Sequence, residues 1–257
     1  MSDESKVSKA RTDANSERSE IQDRALSTNF KNTLPVKIGM IVVGIDEAGR
    51  GPIIGPMVVA GVAIDDKDEQ KLIELGVKDS KLLSPRQRES MFDKIKKIAK
   101  DHKIIIIPPS EIDEAINSAN LNLNKLENIK YAMITNYLKP EKVILDCPSN
   151  NIIEFVKFFE MNLTIENLDV VAEHKADVTY PVVSAASILA KVTRDREIEK
   201  IKKQLGVNFG SGYPADPITA EFVKKNYDKY PDIMRKTWET YKRVVSNKNQ
   251  RGLKDFK

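Results

Sequence analysis

The chain has 257 residues, 40% hydrophobic and 31% charged, with a net charge of +4. That length suits one large domain, or a core with a small appendage. No apolar run reaches the ~20 residues of a membrane span, and the N-terminus lacks the apolar stretch of a secretory signal. One cysteine, Cys147, excludes an internal disulfide framework, and with two histidines it cannot build a zinc site. A reducing, cytoplasmic setting is expected. The charge is uneven: residues 224–257 hold eleven of the 42 basic residues but four of the 38 acids, so this end carries +7 and the remainder −3. A basic end beside an acidic site suits a metal-using nucleic-acid enzyme; a solvated Lys-rich helical surface is the alternative.

In chain order, residues 1–39 are polar, of mixed charge and without periodicity, and are expected to be disordered. Apolar runs begin at Met40. Residues 40–46 and 56–64, rich in Val and Ile, read as strands joined by a turn punctuated with Gly and Pro. "SPRQRESMFDKIKKIAK" has Ser84 as N-cap and Pro85 at the first helical position. "KIIIIPP" is a short buried strand closed by prolines, and residues 110–138 read as helices. "KVILD" (142–146) is a strand ending in an acid, 151–160 is helical, and "LDVVAEH" is a strand. A long helix begins after Pro181 and runs to about residue 205. Beyond the loop "GSGYPADP" the pattern predicts helices around 217–227 and 231–245. The reading is a mixed α/β core over 40–205, a basic helical appendage over 206–245, and a flexible tail over 246–257.

Three acids fall near strand ends: Asp46 and Glu47 on the first strand, and Asp146 closing "KVILD". Asp177 sits just before the long helix. Acids gathered in this way repel one another and lose hydration, and a divalent cation relieves both penalties. Hard oxygen ligands favour Mg²⁺ or Mn²⁺, and a pair of such ions is the usual apparatus for cutting phosphodiesters. Neighbouring strand residues point to opposite faces. Asp46 and Glu47 can therefore both serve only if the strand bends at "EAGRG", or if a backbone carbonyl stands in for one of them. The bland alternative is that one of the two is a solvated strand-end acid.

"GIDEAGRGPIIGPMVVAGV", "GVKDSKLLS", "VILD", "HKAD", "SAASILAKVTRD" and "GSGYPADP", in this order over roughly residues 40–245, resemble type 2 ribonuclease H (ribonuclease HII). The resemblance implies a ribonuclease H-like α/β fold with a central mixed five-stranded sheet flanked by helices. It implies an endonuclease that cuts the RNA strand of RNA–DNA hybrids and 5′ of single ribonucleotides embedded in DNA. The family's four acids map onto Asp46, Glu47, Asp146 and Asp177, with Asp46 and Asp146 as central metal ligands. Asp195 competes for the fourth place, although Arg194 and Arg196 beside it favour surface pairs.

Such an enzyme must sense the 2′-hydroxyl that separates RNA from DNA. Gly49-Arg50-Gly51 lets backbone approach a sugar closely and leaves Arg50 free to hold a phosphate. In the family this unit, with the tyrosine of "GYP" (Tyr213), reads the RNA-to-DNA junction. Lys81 and Lys191 are candidate phosphate contacts, and Ser184 lies on the first turn of a helix whose N-terminus could approach a phosphate. Trp238, with Tyr241 and Val245 at helical spacing, reads as core of the appendage. At the chain end, Gln250, Leu253 and Phe256 resemble the peptide with which replication and repair enzymes bind a sliding clamp of the proliferating cell nuclear antigen kind; Lys257 replaces a usual second aromatic. A monomer without membrane partners is expected. Two other functions remain open at this level: a related nuclease or integrase acting on DNA alone, and a non-catalytic nucleic-acid-binding protein.

Overall fold

Runs of β-branched residues pair into one sheet of five strands in the computed structural model, which describes residues 39–77 and 83–254, with side chains as far as residue 247. The strands are β1 (Ile41–Ala48), β2 (Met57–Asp65), β3 (Asp101–Ile107), β4 (Lys142–Asp146) and β5 (Asp169–Glu173). Their order is β3-β2-β1-β4-β5. β2 lies antiparallel to β1 and β3, while β1, β4 and β5 run parallel. The helices are α1 (Glu69–Leu75), α2 (Pro85–Ile98), α3 (Pro109–Asn117), α4 (Leu123–Leu138), α5 (Ile152–Glu160), α6 (Ala176–Thr179), α7 (Pro181–Leu205), α8 (Pro217–Asn226) and α9 (Glu239–Lys254). The Ser84 hydroxyl and the Gln87 side chain close a reciprocal cap on α2, as the sequence predicts.

Strand alternation divides the core. Val42 and Ile144 face α7, α1 and α2, whereas Val43, Ile45, Val143 and Leu145 face α3, α4 and α5. α7 lies directly on β1: a Cβ at Gly44 would stand 2.5 Å from the Val182 backbone. Only a missing side chain permits that approach, and it brings the first turns of α7 to the carboxyl end of β1. A third cluster joins Ile53 and Ile54, after β1, to Ile198, Phe209, Phe222, Val223 and Met234. The expected appendage therefore shares a core with the turn after β1.

Two stretches differ from the sequence reading. Residues 231–245 are not one helix. A 3-10 turn over Pro231–Ile233 is followed by a bridge between Met234 and Ile54 and by a turn closed by the Trp238 N–H on the Arg235 carbonyl, and α9 begins only at Glu239. Tertiary hydrogen bonds to this stretch outweigh its helical spacing. The expected tether is helical to Lys254, in keeping with the helix-forming Lys, Gln and Arg it contains. The expectations for residues 1–38, Lys81 and Phe256 lie outside the described residues, as do the side chains of Gln250 and Leu253.

Candidate active site

β1 and β4 are parallel neighbours, so their carboxyl ends meet at one edge of the sheet. Asp46 and Asp146 stand there on the α7 face. Asp177 arrives from α6 after Lys175, whose left-handed φ of 60° reverses the chain beyond β5. Each of the three offers a carboxylate oxygen, and these oxygens lie within 4.8 Å of one another. Asp46 is 4% exposed and Asp177 2%. The Ala176 N–H donates to Asp146 Oδ1 at 3.0 Å, and the Ser184 hydroxyl donates to the Asp177 carbonyl. The Asp46 carboxyl is pushed well above the usual range by burial first, then by the charges of Glu47 and Asp146; a bond from Ser187 pulls the other way. A cluster of hard oxygens this close, with its ionisation opposed by burial and mutual repulsion, fits divalent cations of the Mg²⁺ or Mn²⁺ class.

Glu47 is not one of those three, although its carboxyl still bonds Asp46 and feels the Asp146 charge. β1 stays paired through Ala48, with Glu47 opposite Val59 across the ladder, and the chain turns only at Gly49. The Glu47 side chain therefore points to the α4 face, where the Tyr131 hydroxyl donates to it at 2.5 Å. Burial raises its pKa, and the Tyr131 bond opposes the rise. It still lines the same cleft of about 410 Å³ as the three aspartates, together with Arg50, Arg88, Ser187, Lys191 and Tyr213.

Arg50 lines the cleft but already has partners in the protein. Its guanidinium pairs with Glu127 and donates to Asn124 from α4. Glu127 is fully buried; burial and then the Glu47 charge push its carboxyl up to about 8 against the pull of Arg50. Sequence reading had no route to this pair, because 77 residues separate its members. Ser184 is fully buried, with its hydroxyl committed to the Asp177 carbonyl. Ser187 is the serine of α7 that lines the cleft, four residues before Lys191, so helical spacing counted back from the lysine would have found it. Lys191 lies 3.9 Å from Asp195, and Asp195 also pairs with Arg194, away from the acid cluster. Arg196 pairs instead with Glu89. Arg88 is a cleft residue the sequence reading missed; one guanidinium nitrogen donates to the Leu83 carbonyl.

The rim is built from "AGRG" and "GYP". Gly49 takes φ +84°, and a Cβ there would stand 2.9 Å from the Pro56 carbonyl, so only glycine fits this turn. The Tyr213 ring packs over Gly51, is 37% exposed, and has the Arg194 guanidinium 5.1 Å from its centroid. Its backbone is fixed by Asp216, whose carboxylate accepts from the Ser211 and Ile218 N–H groups.

Comparison with known proteins agrees with this geometry. The sequence model of the ribonuclease HII family matches residues 43–241. Ribonuclease HII of Pyrococcus furiosus is 49% identical over 210 residues, 80% of this chain and 91% of that protein. The crystal structure of ribonuclease H2 from Pyrococcus horikoshii superposes with a TM-score of 0.74 at 45% identity, covering 81% of this chain and 98% of that one. A structure of a PCNA:RNase HII complex from Archaeoglobus fulgidus superposes with a TM-score of 0.71 at 43% identity, covering 79% and 96%. With its five-stranded sheet, its acids at the joined ends of β1 and β4, and a match over most of its length, the chain belongs to the ribonuclease HII family.

Proposed function

We propose that this chain is a metal-dependent endoribonuclease that hydrolyses the RNA strand of RNA–DNA hybrids and incises 5′ of ribonucleotides embedded in duplex DNA, leaving 3′-hydroxyl and 5′-phosphate ends. The observation that carries this reading is the Asp46–Asp146–Asp177 cluster in a cleft rimmed by Gly49-Arg50-Gly51 and Tyr213. Asp46, Asp146 and Asp177 would hold two divalent ions, Mg²⁺ or Mn²⁺, with Glu47 reaching the same cleft from the other face of β1. Bound there, the ions supply a nucleophilic water at neutral pH and offset charge on the leaving 3′ oxygen.

The chain's own residues do the positioning. Ser187 orients Asp46, the Ala176 N–H orients Asp146, and Tyr131 orients Glu47. Lys191 offers an ammonium to a backbone phosphate in place of its long contact with Asp195. The rim glycines let the backbone reach a ribose 2′-hydroxyl, and the exposed face of Tyr213 can stack on the sugar that follows. Arg50 contributes by bracing the rim on α4. Gln250, Leu253 and Phe256 form the clamp-binding peptide; support comes from their spacing and from the Archaeoglobus fulgidus homologue having been captured with PCNA.

Gel analysis of three duplexes tests this reading: one with a single embedded ribonucleotide, one RNA–DNA hybrid and one all-DNA, each with Mg²⁺, Mn²⁺ or EDTA. The first two should be cut in either metal and none in EDTA. Cutting of the all-DNA duplex would point to a DNA nuclease instead, and no cutting at all to a binding protein.

A further inference from the structure

The turn that follows β1 is held from behind by one buried cation. Arg235 is fully buried at the start of the turn before α9. Its Nη2 donates to the Gly49 carbonyl at 2.6 Å and its Nη1 to the Arg50 carbonyl at 2.8 Å, while Nε and Nη2 both reach the Gly55 carbonyl at 3.2 Å. The Trp238 Nε1–H donates to the Gly51 carbonyl at 3.2 Å, and the Arg235 guanidinium lies 4.8 Å from the Trp238 ring centroid. Three successive carbonyls, those of residues 49, 50 and 51, are thus turned toward one protein-facing side.

That orientation fixes the donors as well. In a trans peptide the N–H points opposite to the preceding carbonyl, and the described residues contain no cis bond. The N–H groups of Arg50 and Gly51 are therefore directed away from Arg235 and Trp238. Pro52 has no N–H to direct. Gly49, Arg50 and Gly51 all line the acidic cleft.

We propose that Arg235, seconded by Trp238, is the positioning residue for ribonucleotide recognition: it aims the Arg50 and Gly51 N–H donors at the sugar–phosphate in the cleft. The inference rests on the ribonuclease reading above. The anchor of Arg235 is itself fixed from a separate element, because Asp113 of α3 accepts from the Lys236 N–H at 2.8 Å, the Thr237 N–H at 2.9 Å and the Thr237 hydroxyl at 2.5 Å. The planar fork reaches these three carbonyls from three separate nitrogens in a fixed geometry, which the three donors on the single nitrogen of a lysine do not reproduce. Burial, then the Arg194 charge, lowers the Arg235 pKa to about 9, which leaves it cationic at neutral pH.

The test compares the parent with Arg235→Lys and Trp238→Phe. Kd is measured in EDTA for a duplex with one ribonucleotide and for the same all-DNA duplex; kcat/KM is measured in Mg²⁺, and folding is checked by thermal melting. The parent should favour the ribonucleotide duplex. Arg235→Lys should lose that preference without losing all-DNA affinity, with kcat/KM down roughly ten- to hundred-fold for the loss of charged hydrogen bonds. Trp238→Phe keeps a ring and removes one donor, so a fall of about two- to ten-fold is expected, and this variant carries the test if Arg235→Lys does not fold. A purely structural role would lower melting temperature and leave the Kd ratio at the parent value. An unchanged ratio in a folded variant, with a parent that cuts at the ribonucleotide, overturns the positioning role. A parent that cuts none of the duplexes overturns the ribonuclease reading instead.

Discussion

An ionised Asp46 works against folding when no cation is bound. Its folded-state pKa lies well above 3.8, so its full contribution to stability is present below that pH and is lost as pH rises through the higher folded value. Asp46→Asn keeps an oxygen to accept the Glu47 N–H, which lies 2.7 Å away, and removes the charge. Metal-free Asp46→Asn should melt above the parent at pH 7, the gap should close near pH 4, and cleavage should be abolished; a metal-free variant that melts below the parent at pH 7 would contradict the repulsion. Tyr213→Ala should lower cutting at a single ribonucleotide more than cutting within a long hybrid. By analogy with base–aromatic stacking the loss is of order 1–3 kcal/mol, and equal losses on the two substrates would remove Tyr213 from junction reading. At this scale the sequence carried much of the site. Period-2 alternation already raised the difficulty of placing Asp46 and Glu47 side by side. What it could not carry were partners distant along the chain, such as Glu127 for Arg50 and Tyr131 for Glu47.

The short loop before α8 shows how an element tunes the rim. Asp216 caps α8 and also pins Ser211, and backbone bonds from Ser211 are the first cause holding its carboxyl down at about 2. With the folded value depressed, its stabilising contribution is present above 3.8 and disappears as pH falls through about 2. Asp216→Asn should therefore melt below the parent at pH 6, and the two should converge in acid melts near pH 2. A constant gap across that window would show that the charge is irrelevant. Strands and capped helices were legible because their causes are local: β-branched runs for β1 to β5, and Ser84 with Pro85 for α2. The stretch 234–238 was not, because what keeps it out of a helix is Arg235 satisfying carbonyls some 180 residues earlier and Asp113 holding the two following amides.

Across the whole molecule, strand order decides where chemistry can occur. β1 is central, with an antiparallel neighbour on one side and a parallel one on the other, and ligands favour the carboxyl ends of parallel strands. The basic C-terminal region packs beside that edge through the cluster around Ile53 and Ile54, which places positive charge near an acidic centre without merging the two. The tail is a separate matter. Deleting residues 246–257 should leave cleavage of free oligonucleotide duplexes within about two-fold of the parent, and should abolish binding to the sliding clamp of the same source in calorimetry. Full-strength clamp binding by the shortened chain would exclude the tail as its ligand.

Trp238 is the single tryptophan of the chain, and it lies against the Gly51 carbonyl beneath the Arg235 guanidinium. All indole emission from this protein thus originates beside the Gly49–Gly51 rim of the acidic cleft, which makes the enzyme its own optical gauge. Titration with a ribonucleotide-containing duplex in EDTA should change the intensity or wavelength of that emission in an unlabelled sample, more than the all-DNA duplex does, and stopped-flow traces of the same signal would time the seating of the ribose separately from the cut.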